Sequence, residues 1–170
     1  MTMVSEHPGS DRSPETRCCV AVFRDDSVLL VRSQENGSTV WKVPGGHVRA
    51  DEGLAACGRR ELREETGLEA GRLRCGLFQE VHDEASGRYM VEVVLFPLEK
   101  VHGEPRACES GRQPYFVPLS ALARLTLRPS ISGHLHGLHD LHRRELADQD
   151  EEPGPEDTTT PAMGMYPPPR

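Results

Sequence analysis

The feature that most limits what this chain can become is the run from Gly46 to Leu68, GHVRADEGLAACGRRELREETGL. Within it Glu61 and Glu64 lie three residues apart, and Glu61 and Glu65 lie four apart. On an α-helix such positions share a face, so three carboxylates crowd one side while Leu62 turns away toward a core. Like charges this close destabilise a bare helix by roughly a few tenths of a kcal/mol per pair. A helix that keeps the cluster is suited to hold a cation against it. The plainer reading of such a run is a solvated acidic face. Clustered oxygen ligands favour a hard divalent ion, magnesium or manganese, over zinc.

The rest of the chain supplies a framework for that helix. CCVAVF and SVLLVR read as strands separated by an Asp25-Asp26 turn, and VWKVP leads into the Gly45-Gly46 pair. Asp51 is placed to cap a helix running to Thr66, with Gly67 just past its end as the C-cap. LRCGLFQEVH, YMVEVVLFPLE and YFVPL follow as three more strands. Pro129 to Leu146 reads as a closing helix with Leu135, Leu138 and Leu141 on its apolar side. Strands around one central helix, with a second helix after them, predict an α/β fold: a sandwich of α/β/α layers with a mixed sheet.

Charge and composition narrow the function. The net charge is −7, but the stretch from Glu145 to Arg170 holds seven acidic residues and one basic residue, so the acidity belongs mostly to the tail. With no basic patch or aromatic-basic interleaving, no long nucleic acid is expected as a partner. Residues 1–15 read as a disordered polar arm, 16–147 as one folded domain, and 148–170 as a disordered acidic, Pro-rich tail. The N-terminal stretch has no apolar core of the signal-peptide kind, and no apolar run approaches the roughly 20 residues that cross a membrane. Cys18, Cys19, Cys57, Cys75 and Cys108 are odd in number and scattered, with no CxxC, which argues for reduced thiols in a cytoplasmic protein. His134, His136, His139 and His142 read as a polar helix face rather than a metal site, and His82-Asp83 as a loop between strands.

The spacing Gly46-x5-Glu52-x7-Arg60-Glu61-Leu62-x-Glu64-Glu65-x-Gly67-Leu68 resembles the box of the Nudix hydrolase family at every fixed position. Trp41-Lys42-Val43-Pro44-Gly45-Gly46 looks like the usual lead-in, and the likeness covers about residues 17–145. The resemblance implies a pyrophosphohydrolase acting on phosphoanhydride bonds with Mg2+ or Mn2+. Glu64 and Glu65 would be the main metal ligands, helped by the backbone carbonyl of Gly45. Glu61 would ligate metal or act as the base. Glu52 would pair with Arg60 in structural support of the site. Gly46 would allow a close approach, with substrate near it, that a Cβ would block. The family is often dimeric, so a homodimer is implied as possible.

GEPRACESGRQPYFVPL looks like the loop from which nucleotide pyrophosphohydrolases of the MutT type draw a further carboxylate. Glu109 occupies that place, with Glu80 and Glu104 as reserves. Arg32, on the second strand, is either a phosphate contact or an ordinary strand-surface charge. Where MutT-like proteins read an oxidised guanine with an asparagine, this chain has Pro129-Ser130-Ile131-Ser132, a departure that argues against 8-oxoguanine specificity. The expected substrate is therefore a nucleoside diphosphate-X compound, with (d)NTPs first and ADP-ribose or nucleotide sugars as alternatives. A nucleotide sensor of the same fold without turnover is the alternative from another class.

Overall fold

The protein is described here by a computed structural model covering residues 14–83 and 87–150. Strand β1 (Glu15–Val20) lies inside a four-stranded sheet. It pairs antiparallel with β5 (Gly45–His47) and parallel with β7 (Arg88–Pro97), which pairs antiparallel with β6 (Leu73–Asp83). One parallel pair among antiparallel ones makes the sheet mixed, as the sequence predicts. A second sheet holds β2 (Phe23–Arg24), β3 (Ser27–Glu35), β4 (Ser38–Lys42) and β8 (Gln113–Pro118), with β3 pairing all three others antiparallel.

Successive strand residues point to opposite faces, and the two helices use that alternation. Cys18, Val93 and Leu95 pack with Cys57 of helix α1 (Leu54–Thr66), while Val20 and Leu29 pack with its Leu62. Cys19, Ala21, Val94 and Phe96 face the other way, against Leu135 and Leu138 of helix α2 (Ser132–Asp150). The helices therefore cover opposite faces, giving the expected α/β/α layering. Being covered on both sides, β1 and β7 read in the sequence as nearly continuous apolar runs. Among the described residues, no helix is long and apolar enough to cross a membrane.

Several local expectations are corrected. The Asp25-Asp26 turn exists, with Asp25 at φ 49°, but it closes only the two-residue β2 onto β3. CCVAVF is shared between the sheets, because Ala21 N–H still donates to Leu95 O at 2.8 Å, along the line of β7. Asp51 does not cap α1: the N-cap is Gly53, without a side-chain hydrogen bond. The reason is a turn in which Glu52 N–H donates to Arg49 O at 3.2 Å, which delays helix entry. Gly67 is the C-cap at φ 72°, as expected for a left-handed terminus. His139 and His142 are buried rather than part of a polar face, their rings tilted against Phe23 with centroids 5.2 and 5.5 Å away. Burial lowers the pKa of His142, which favours the neutral ring. His82 and Asp83 belong to β6 rather than to a loop. The assigned arm and tail fall largely outside the described residues; within them, β1 begins at Glu15 and α2 runs to Asp150.

Candidate active site

Helix α1 is set by Leu62, which is fully buried in the core, and this leaves Glu61 and Glu65 against β5, at Gly46 and Gly45, with Glu64 held by Arg60. Their exposures differ enough to separate their chemistry. The Glu64 side chain is 42% exposed, that of Glu61 13% and that of Glu65 5%.

Arg60 is the hub of the first group. Its Nε donates to Glu52 Oε1 at 2.7 Å and its Nη2 to Glu52 Oε2 at 2.8 Å, a bidentate pair. Its Nη1 reaches Glu61 Oε1 at 2.5 Å and Glu64 Oε2 at 3.1 Å, and Nη2 also donates to His47 O at 3.2 Å. One guanidinium thus ties the loop carboxylate of Glu52 to two helix carboxylates and to the end of β5. Arg60 holds the Glu52 carboxyl down at about 2. The same partners raise the Arg60 pKa above its ordinary value.

Glu65 is the buried member. It accepts the Gly45 N–H at 3.1 Å and a hydrogen bond from Arg112 Nη1. Burial pushes its carboxyl up to about 7; Arg112 and the Gly45 N–H pull the other way, while Glu61 and Glu109 add to the rise. Arg112 also pairs with Glu109 at 3.1 Å, so the loop before β8 delivers both an arginine and a carboxylate to Glu65. Of the reserves, Glu104 pairs with Arg24 at 3.1 Å and Glu80 is exposed on β6.

The two glycines leave room for this packing in different ways. A Cβ on Gly46 would sit 2.4 Å from Glu61 Oε1, whereas a Cβ on Gly45 would sit 2.3 Å from the Cys18 carbonyl oxygen and 2.6 Å from Cys19 Cα. The Gly45 carbonyl accepts Arg17 Nη2 at 3.0 Å. Arg32 stands apart from the carboxylates. It sits opposite Trp41 and Gln113 in the second sheet, donates to Gln113 Oε1 at 2.5 Å and lies 5.4 Å from the Tyr115 ring centroid.

Three residues escaped the sequence reading. Arg112 lies 47 positions from the carboxylate that it pairs with, and no local pattern marks it. Glu92 is 2% exposed, accepting Cys19 Sγ at 3.2 Å and Gln79 Nε2 at 2.8 Å. A lone charge inside the apolar run YMVEVVLFP was its available signal. Arg17, beside it, keeps a buried Nε without a hydrogen-bond partner.

The donor set suits a hard divalent cation in kind and in charge. Glu52, Glu61, Glu64, Glu65 and Glu109 are answered by Arg60 and Arg112 alone in the contacts above, leaving an excess of carboxylate oxygen. Among the described residues, no three His, Cys, Asp or Glu side chains already converge as a ready cage. The two arginines hold carboxylate oxygens that an ion would take.

A family model described as NUDIX domain matches residues 13–137. The phosphatase NudJ of Escherichia coli K12 is 39% identical over 57 residues, which are 34% of this chain and 37% of that protein. The chain thus spans little more than a third of the length of the curated relatives it matches. The MutT NUDIX hydrolase from Burkholderia pseudomallei aligns with TM-score 0.57 and 28% identity, over 64% of this chain and 86% of that one. The E. coli ORF135 protein aligns with TM-score 0.62 and 23% identity, over 81% and 97%, a likeness of fold.

Proposed function

Because the chain belongs to the NUDIX domain family, we propose that it hydrolyses a diphosphate linkage in a nucleoside diphosphate-X substrate, with (d)NTPs first, releasing a nucleoside monophosphate. The observation that carries this reading is the gathering of Glu52, Glu61 and Glu64 on Arg60 beside the buried Glu65. A sensor would have no need to keep five carboxylates in one place, since Arg60 and Arg112 answer only part of their mutual repulsion and a divalent cation would answer the rest.

Diphosphate hydrolysis asks a protein to position two groups and to answer the charge that builds on phosphoryl oxygens. When bound, Mg2+ or Mn2+ supplies that positive charge and acidifies nearby water. Glu64 and Glu65 are the residues to hold the ion, with Glu109 joined to Glu65 through Arg112, whereas the Gly45 carbonyl is taken by Arg17 Nη2 and would have to be released to serve. Glu61 gives one carboxylate oxygen to Arg60, which leaves the other to take a proton from water. Glu52 and Arg60 fix the loop against α1, so these oxygens keep their places. Arg32 is assigned to a distal phosphate. The five free cysteines fit a reducing cytoplasm.

The test is release of nucleoside monophosphate or phosphate from (d)NTPs, 8-oxo-dGTP, ADP-ribose, nucleotide sugars and dinucleoside polyphosphates, with magnesium or manganese. One class should be turned over far better than the rest, with EDTA abolishing the signal. A folded protein that binds a nucleotide but turns over nothing on the panel would sink it.

A further inference from the structure

The contact between Arg112 and Glu65 joins an element outside the box to the most buried carboxylate of the site. The Arg112 side chain is 45% exposed and that of Glu65 5% exposed, so a half-exposed guanidinium answers an almost wholly buried carboxylate. A buried carboxylate without a partner is unfavourable, and a guanidinium suits the task because it stays charged and carries only donors. The same Nη1 lies 3.1 Å from Glu109 Oε2. Arg112 therefore bridges the two carboxylates, one from α1 and one from the loop, that are assigned above to a divalent ion. An ion that takes those oxygens has to displace it.

The chain around Arg112 suits displacement. Gly111, just before it, has φ +76° and open space where a Cβ would be. The turn is closed by Arg112 N–H donating to Glu109 O at 3.3 Å, and β8 begins immediately afterwards at Gln113. The guanidinium can swing while the backbone on either side stays anchored. Once released, it would still be anchored at the start of β8 beside Glu65 and Glu109, so a phosphate held by the same ion would face it. Its planar fork matches phosphate geometry as it matches carboxylate.

We propose that Arg112 is an exchangeable counter-cation: it neutralises Glu65 and Glu109 until a divalent ion replaces it, and then positions the substrate's phosphates. The substrate half rests on the hydrolase reading above; the exchange half does not.

The test compares wild type with Arg112→Ala and Arg112→Lys, stripped of metal by chelation and held at pH 8.5 to limit competition from protons. Mn2+ alone is the first probe, titrated calorimetrically. Arg112→Ala should bind Mn2+ about fivefold more tightly, the scale of a half-exposed ion pair that no longer competes. Its metal-free Tm should fall, and saturating Mn2+ should restore it, which shows that the variant folds. Arg112→Lys should return Mn2+ affinity to the wild-type value, because a point charge competes as well. For the substrate found by the panel, both variants should raise KM about tenfold, with a smaller loss in kcat, since neither has the fork. Unchanged or weaker Mn2+ binding in a folded Arg112→Ala overturns the exchange. Tighter Mn2+ binding with an unmoved KM overturns the substrate role. A wild type silent on the whole panel defeats the hydrolase reading, and the manganese titration still decides the exchange.

Discussion

Glu65 has the clearest consequence for a single residue. Its carboxyl sits at about 7 in the fold against an ordinary 4.5, raised mainly by burial. A raised carboxyl contributes stability while it is protonated, fully so below about 4.5, and that contribution is lost as pH rises through about 7. The shift corresponds to about 3 kcal/mol as an order of magnitude. Glu65 should therefore lower the stability of the metal-free protein as pH rises from 4.5 to about 7, against the opposite trend from the buried neutral ring of His142, and Glu65→Gln should remove the Glu65 part of the curve. Urea unfolding of both proteins across the range checks this; parallel curves would contradict it. The same variant should lose nearly all metal-dependent turnover. Arg60 behaves differently, since it answers three carboxylates at once. Arg60→Ala should lower Tm without metal, and magnesium should recover part of the loss by supplying the missing positive charge.

At the scale of elements, the junction between β5 and α1 is where fold and chemistry meet. Gly45 and Gly46 are neighbours in sequence, yet a side chain on each meets a different kind of obstacle. At Gly45 the obstacle is the backbone of β1, which cannot retreat without breaking the pairing of Cys19 with Gly45. At Gly46 it is the flexible end of Glu61. Gly45→Ala should therefore cost fold stability, seen as a large drop in Tm or as insoluble protein. Gly46→Ala should keep most of its Tm and lose activity by pushing Glu61 away from Arg60. Equal losses of Tm in the two variants would show that the distinction is wrong. The helix could be read from sequence because its signals are local: a periodic carboxylate face, Leu62 opposite, and a glycine at the end. Its first residue was not legible, because the turn at Arg49–Glu52 uses a hydrogen bond that spacing alone does not announce.

For the whole molecule, metal binding should appear as stability. A ligand that binds the folded state alone raises Tm in proportion to the logarithm of its concentration over Kd. Magnesium should raise the Tm of wild type, and Glu64→Gln combined with Glu65→Gln should abolish the rise; a shift that survives in the double variant would place the ion elsewhere. The amino-acid sequence by itself determined the alternation and periodicity of the elements, the family, and the carboxylate set on α1. These follow from local geometry, in which residues three and four apart on a helix share a face. Only the tertiary structure decided which strands share a sheet, so that CCVAVF divides between two of them. It alone put His139 and His142 in the interior. It alone brought Arg112 across 47 positions of chain to Glu65. Such contacts depend on how separate segments fill common space, and a charge on a loop carries no mark of the buried partner that the fold will give it.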